Sequence, residues 1–377
     1  MVIDYNIENT LSYSKEINSH NFTVLLGQGA YKDGQSGGLG LTYNAIPATN
    51  FDDASFNLPV PSANITAYAY DAVAHTISSL FARATYDYKE KYLFTGIIRR
   101  DGSSRFGENY KYGYFPSVSL GWVASNEDFW PSNEAVNFLK IRGSYGEVGN
   151  DNIANFKYIS TVSAGRNYTF GYDGYTIGYS PNAPANPDLH WEETAQTNIG
   201  FEATLLHDFN LTFDWYNKKT TGILRDLELP GYAGQTGNPA ANIADMRNRG
   251  IELELGYNKQ FGDVGFRLSG NAAYVKNEIL SLESGKMFTE SGSSSIQTFN
   301  YLLNRNIVGE SYYSFYGFKT NGIFQTEADV QAYKSSDGTV IQPNAQQGDF
   351  RWVDANDDGQ INADDRVVLG KPLPDWT

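Results

Sequence analysis

Between Ala195 and Tyr216 the sequence alternates with a period of two. Ala195, Thr197, Ile199, Phe201, Ala203 and Leu205 are apolar or small, and Gln196, Asn198, Gly200, Glu202 and Thr204 between them are polar or glycine. After Leu206-His207-Asp208 the pattern resumes, with Phe209, Leu211, Phe213 and Trp215 set against Asn210, Thr212, Asp214 and Tyr216. An extended strand with two unlike faces produces this period. Both halves carry their apolar residues on odd numbers, so a hairpin keeps its faces matched only if the loop is odd in length. A three-residue loop at 206–208 predicts the pairs Leu205–Phe209, Ala203–Leu211, Phe201–Phe213 and Ile199–Trp215. A slip of one residue would set Leu205 against Asn210 and mix the faces.

Strand length narrows the choice further. A typical strand of a soluble protein has about five or six residues, and these runs are about twice that. The apolar band of an outer-membrane barrel is roughly 25 Å tall with strands tilted about 40°, which needs about ten residues per crossing. Although 41% of the 377 residues are hydrophobic, no run approaches the roughly twenty apolar residues of a membrane helix. A barrel signals itself by alternation, so that absence does not count against it. The 27 Tyr and 22 Phe suit aromatic girdles and equally suit a soluble glycan-binding β protein. There is no cysteine, so thiolate and disulfide chemistry are out and redox gives no compartment. A net charge of −15 argues against nucleic acid as a partner. Met1-Val2-Ile3-Asp4 lacks the basic and apolar regions of a signal peptide, and the chain reads as an internal piece of something longer.

Taken in order, Ile7 to Ile17 alternates, with Leu11, Tyr13 and Ile17 opposite Glu8, Thr10, Ser12, Ser14 and Glu16. A turn is expected at 18–21, then Phe22, Val24 and Leu26, then a long loop at 33–73. Strands at 76–88 and 92–100 predict a hairpin with Lys89-Glu90-Lys91 as its turn and Tyr86 facing Phe94. A loop at 101–111, a strand at 112–123, a connector at 124–137 and a strand around Leu139, Ile141 and Tyr145 follow. Residues 147–190 read as irregular, with a small hairpin near 156–172. Beyond a loop at 218–247, Ile251, Leu253, Leu255 and Tyr257 pair through a tight turn at Phe261-Gly262 with Phe266, Leu268, Gly270, Ala272 and Tyr274. The last hundred residues read as loop, with one extended patch near 312–324. Short turns therefore alternate with long loops, as in barrels with short periplasmic turns and long extracellular loops. On that scheme the connector at 124–137 is periplasmic despite its length. The expected fold is all-β, an antiparallel meander forming part of a large transmembrane β-barrel with long extracellular loops.

Several stretches together resemble one family. They are Arg100-Asp101-Gly102-Ser103-Ser104-Arg105-Phe106, Phe115-Pro116-Ser117-Val118-Ser119-Leu120-Gly121-Trp122, Leu139-Lys140-Ile141-Arg142-Gly143-Ser144-Tyr145-Gly146 and Trp191-Glu192-Glu193-Thr194. Asp214-Trp215-Tyr216, Asn248-Arg249-Gly250-Ile251-Glu252-Leu253-Glu254, Phe315-Tyr316-Gly317-Phe318 and Gly348-Asp349-Phe350 follow in the family's order. The chain thus resembles the barrel of SusC/RagA-type TonB-dependent outer-membrane transporters. That resemblance implies uptake of oligosaccharides or peptides across a Bacteroidetes-type outer membrane, with a SusD-like surface lipoprotein and TonB as partners and no catalytic activity. Residues 1–377 are expected to be a partial barrel lacking the plug domain, the TonB-contacting segment and the last strands. Such barrels have about 22 strands, against ten or eleven here.

The sharpest local motif lies in an acidic insertion at 348–370, where Asp354-Ala355-Asn356-Asp357-Asp358-Gly359-Gln360-Ile361-Asn362-Ala363-Asp364-Asp365 fits a twelve-residue calcium loop. Asp354, Asn356 and Asp358 supply oxygens at positions 1, 3 and 5, Gln360 a carbonyl at 7 and Asp365 a carboxylate at 12, where Asp replaces the usual Glu as in dockerin-like loops. Bound Ca2+ would be structural. The other reading is an acidic Asn-Asp-Gly turn held by side-chain-to-backbone bonds.

Catalytic readings fare worse. Glu192 and Glu193 are adjacent on a strand and point to opposite faces, so they cannot flank a glycosidic bond. His20, His75, His190 and His207 sit in loops or at strand ends without a serine or cysteine motif nearby. Arg99, Arg100 and Arg105 around Asp101-Gly102 fit either an anionic ligand or, the reading favoured here, a turn and barrel-rim carboxylates. Tyr110, Tyr112, Tyr114 and Phe115, and Tyr312, Tyr313, Phe315, Tyr316 and Phe318, fit either sugar stacking or an interfacial girdle. The rival to transport is a secreted or surface β-rich glycan-binding protein with a dockerin-like calcium loop.

Overall fold

The computed structural model describes residues 2–131, 135–171, 174–229, 232, 237–283, 285–291 and 303–377. The main strands are β1 (Val2–Ile17), β2 (His20–Tyr43), β3 (Ile65–Ala72), β4 (His75–Tyr88), β5 (Tyr92–Ser103), β6 (Tyr112–Val123), β7 (Val136–Asn150), β8 (Val162–Ala164), β9 (Tyr179–Pro181), β10 (Glu192–Leu205), β11 (Phe209–Asp226), β12 (Ala240–Phe261) and β13 (Val264–Ser281). One 11-stranded sheet runs in the order β1-β2-β4-β5-β6-β7-β10-β11-β12-β13, with β3 on the far half of β2, and β8 and β9 pair separately. Sequence neighbours are sheet neighbours, the meander that the alternation implied.

The hairpin registers keep the apolar face intact. At 206–208 the loop has three residues, with Leu206 and His207 in left-handed conformations (φ 52° and 63°). Phe201 stacks on Phe213 at 5.6 Å, Thr204 donates to Asn210, and the Thr194 and Thr220 hydroxyls meet at 2.9 Å. All three contacts belong to the register that pairs Leu205 with Phe209. Tyr86 faces Phe94 across Lys89-Glu90-Lys91. Phe261 pairs with Val264 around Gly262-Asp263, where Gly262 takes φ 59°, a value that suits glycine in a two-residue turn. The first turn is tighter than expected: Ile17 pairs with His20, so Asn18-Ser19 alone make the bend.

Several expected loops are strand. The loop expected at 33–73 shrinks to 44–64, because β2 continues for 24 residues and β3 pairs along its far half, Gly38 opposite Tyr70 and Gly40 opposite Tyr68. A Cβ on Gly40 would lie 2.3 Å from the Tyr68 ring. Each ring covers the bare backbone of the facing glycine, which turns a sequence that reads as loop into a strand. The loop expected at 218–247 is likewise strand up to Asp226, where β11 ends, and again from Ala240, where β12 begins. A hydrogen-bond ladder needs no alternation, so strand segments interrupted by glycine, or with apolar residues on both faces, leave no clean period of two. The hairpin expected near 156–172 is instead formed by β8 with β9, extended by a Tyr168–Thr176 bridge.

The last hundred residues are not merely loop. They hold β14 (Phe288–Ser291), β15 (Asn304–Ile307), β16 (Ser314–Phe318), β17 (Thr320–Ile323), α1 (Glu327–Ala332), β18 (Phe350–Trp352) and β19 (Arg366–Gly370). β14-β15-β16-β19 form a four-stranded sheet, and β17 pairs with β18. Runs of four or five residues are too short for the period to show. The Thr326 hydroxyl and the Asp329 carboxylate cap α1 reciprocally.

The chain divides into two compact units. The first comprises Met1–Gly121, Gly146–Glu193 and Leu224–Asn242 and holds a dry cluster of Phe106, Phe115, Leu189, Trp191 and Ala240, flanked by Ile153, Tyr158 and Leu224. The second comprises Trp122–Tyr145, Thr194–Ile223 and Ile243–Thr377. Along its meander the apolar positions Ile199, Trp215, Leu253, Leu255 and Leu268 stay exposed, and among the described residues neither a helix nor a second sheet lies over them.

Candidate functional site: the polar face and the loop cluster

On the second unit's meander, the residues opposite the exposed apolar face are charged and joined in a chain. Lys140 Nζ lies 3.4 Å from Glu202 Oε1, and Arg142 Nε lies 3.0 Å from the same oxygen. Arg142 Nη2 then reaches Asp214 Oδ2 at 2.6 Å. These pairs are partly shielded, with Asp214 at 19% side-chain exposure. β7, β10 and β11 contribute one alternate set each, so a period of two on separate strands gathers the charges on one face. Next to them is an open cavity of about 480 Å3, lined by Thr212, Asp214, Glu252, Glu254, Ser269 and Asn271. Cross-strand pairing of Glu252 with Ala273 and of Glu254 with Asn271 places them together.

In the first unit, the Arg100–Phe106 stretch folds the end of β5 into a cross-linked corner. Arg99 is bound to Asp101 and donates to the Ser79 hydroxyl. Arg100 lies 4.5 Å over the Tyr112 ring. Arg105 donates to the Asp151 carbonyl, and Phe106 enters the dry cluster against Trp191. Arg99 and Arg105 thus meet carboxylates, whereas Arg100 meets an aromatic ring instead. Trp191 donates its indole N–H to the Lys111 carbonyl. Glu192 accepts from Asn150 Nδ2 and the Leu224 N–H, both at 3.2 Å, which gives this carboxylate a positioning role.

His75 departs from expectation, because a serine does stand beside it. Its Nδ1 is 3.3 Å from Asp33 Oδ1 and its Nε2 is 2.8 Å from Asp151 Oδ2. Ser103 Oγ is 3.4 Å from Nε2. The hydroxyl is nevertheless given to Asp151 at 2.6 Å, and Ser103 is fully buried. A nucleophile must donate to its base and be reachable by substrate; Ser103 does neither. The node instead ties β2, β4 and β5 to the segment after β7. It was invisible in sequence because its members are separated by dozens of residues. The other histidines are local: His20 bonds the Tyr86 hydroxyl, His190 the Asp188 carbonyl and His207 the Asn137 amide.

Asp354, Asn356, Asp358, Gln360 and Asp365 come together in one loop. Asp354 accepts the N–H groups of Asp358 and Gly359, and Asp358 accepts from Gln360 N–H. Asp365, fully buried, accepts from Ala355 and Asn362. The Gln360 N–H and the amides of Asn356 and Asn362 hold the Asp358 carboxyl below the ordinary carboxylate range. Paired with Asp375, Lys371 is held above its ordinary value. Among the described residues, no three His, Asp or Glu side chains converge as a metal cluster.

The aromatic groups part company. Tyr110, Tyr112 and Tyr114 are exposed, whereas Phe115 points the other way into the dry cluster and is no girdle residue. Tyr316 is sandwiched between Arg305 at 3.9 Å and Arg366 at 4.9 Å, and Phe318 packs on Trp352. Tyr312 and Tyr313 lie ring against ring, and Phe315 is exposed.

A one-layer antiparallel meander of long strands, greasy on one face and ion-paired on the other, is wall material of a transmembrane β-barrel. A family model described as TonB dependent receptor-like, beta-barrel, matches residues 3–377, and the chain belongs to that family. It is 34% identical over 416 residues to a TonB-dependent receptor of Formosa agariphila, covering 99% of this chain and 37% of that protein. It is 28% identical over 386 residues to the TonB-dependent receptor SusC of Bacteroides thetaiotaomicron, covering 99% of this chain and 35% of that one. The fold is similar to that in a structure of the RagAB peptide transporter, with a TM-score of 0.76 at 22% identity, over 98% of this chain and 38% of the other. The chain therefore spans little more than a third of the relatives it matches.

Proposed function

We propose that this chain is part of the wall of an outer-membrane importer of oligosaccharides or peptides, energised through TonB and served by a SusD-like surface lipoprotein. The observation that carries the reading is the uncovered apolar face of β10–β13 backed by an ion-paired polar face. Lipid would cover the first and a water-filled lumen the second. In this reading the turns at 89–91, 206–208 and 262–263 are periplasmic, the long connections face outward, and no reaction is catalysed. One structural neighbour, RagAB, is a peptide transporter, which supports the peptide half of that cargo class. The test is collision quenching of spin labels on the full-length receptor in bilayers. Labels at Leu253 and Leu255 should be quenched by a lipid-soluble agent, and one at Glu254 by a water-soluble agent. Equal quenching at all three would remove the wall assignment.

The 348–370 segment belongs to the outward side in this reading. The Asp354–Asp365 loop is proposed to hold a structural Ca2+ through Asp354, Asn356, Asp358, the Gln360 carbonyl and Asp365. In support, each Asp354 oxygen takes one backbone N–H and keeps a lone pair for a hard cation. Calorimetric calcium titration of wild type and Asp354→Ala decides it; identical traces would retire the metal.

A further inference from the structure

In the second unit, away from the charged meander, an open cavity of about 470 Å3 is lined by Gln342, Asn344, Asp349, Phe350, Trp352 and Ile361. The Phe350 and Trp352 rings stand 5.4 Å apart at 48°, and Phe350 is 55% exposed. Their backbone is clamped before any ligand arrives. Gln342 Oε1 accepts the Trp352 N–H at 2.8 Å while its Nε2 donates to the Phe350 carbonyl, and the Tyr333 hydroxyl donates to the Trp352 carbonyl at 2.7 Å. A platform fixed in advance loses little entropy on binding.

The polar groups around the rings are spare. Among the described residues the Asn344 carboxamide and the Trp352 indole N–H have no hydrogen-bond partner, and Asp349 uses only Oδ2, toward the Gln346 N–H. An occupant without polar groups would strip water from Asn344 and Asp349 without replacing its hydrogen bonds, which is costly. A polar occupant without an apolar face would gain nothing from the rings. A pyranose offers both, a C–H face for the rings and rim hydroxyls for the amide and carboxylate. The Asp349 carboxylate on the rim of the cavity selects against anionic sugars. We propose that the cavity beside Phe350 and Trp352 is a surface platform for a neutral pyranose, separate from the polar face of the meander and independent of what the barrel imports.

The test is binding of the purified full-length receptor in detergent to a printed array of neutral oligosaccharides, with wild type, Phe350→Ala, Phe350→Tyr and Asn344→Ala in parallel. Wild type should retain at least one glycan. Retention should fall at least tenfold in Phe350→Ala and several-fold in Asn344→Ala, and persist in Phe350→Tyr. Heat-modifiable gel mobility reports whether each barrel is intact, and Asn344→Ala decides between the outcomes should Phe350→Ala fail to fold. No retained glycan, or retention indifferent to Phe350 and Asn344, overturns the proposal. So does Phe350-dependent binding of a proline-rich peptide without any glycan, which would make this a protein-contact surface. Import can fail or succeed without changing any of these readings.

Discussion

The loop cluster of the first unit and the β10–β13 meander of the second solve the burial problem in opposite ways. Around Trp191 and Phe106 the apolar side chains face one another and exclude solvent, as in an ordinary protein interior. Along β12 and β13, Leu253, Leu255 and Leu268 face outward and none of the described residues covers them. Cohesion in the cluster therefore resides in side-chain packing. In the meander it resides in the backbone ladder, the cross-strand pairs and the medium that wets the greasy face. The same residue types carry different energies in the two places.

Truncation separates them most sharply. Trp191→Ala should destabilise the loop cluster by about 3–5 kcal/mol, through a cavity and the lost bond to Lys111. Urea unfolding of the full-length receptor in bilayers, with limited proteolysis of residues 151–191, measures it. A charge on the outward face comes next. Leu253→Arg should cost about 2–4 kcal/mol near mid-membrane, whereas Glu254→Arg on the neighbouring face should leave assembly intact. Equal costs would falsify the two-faced wall. Asp151→Ala leaves His75 and Ser103 with a buried partner missing and should cost about 1–3 kcal/mol, seen as faster cleavage just after β7. Arg142→Met interrupts a partly exposed ion chain and should cost about 1 kcal/mol or less, read in the same urea titration.

The smallest effect is titration of the acidic loop. Asp358 is held below its ordinary range by hydrogen bonds to the ionised form. The stability it contributes is fully present above the unfolded value of about 3.9 and is lost as pH falls through the lower folded value. Proteolytic protection of residues 354–365 should therefore be flat from neutral pH down to about that point and decline below it. In Asp358→Asn this acid-dependent decline should be smaller.

Legibility in the sequence followed the chemistry of the two faces. Where one face is greasy and the other wet, as at Ile199–Leu205 and Phe209–Trp215, alternation gave strand, face and register, down to Phe201 on Phe213. Where apolar residues fall on both faces, as at Ile223-Leu224, or where glycines stand between them, as at Gly38-Leu39-Gly40-Leu41 in β2, the ladder continues but the stretch reads as loop. Lys140, Arg142, Glu202 and Asp214 fall on polar-face positions by period alone, but their joining into one charge chain is set by strand order and register. His75, Asp33, Ser103 and Asp151 were not legible as a node, since only the fold brings them together. Gln342 holding Phe350 and Trp352 is another arrangement with no spacing rule.

β2 has one further implication. At about 3.4 Å per residue its 24 residues reach roughly 80 Å, against the roughly 33 Å that a tilted crossing occupies. Less than half of it is needed for a crossing, and the remainder ends in a two-stranded ribbon in which Ser36 to Tyr43 pair with Ala72 to Ile65 of β3.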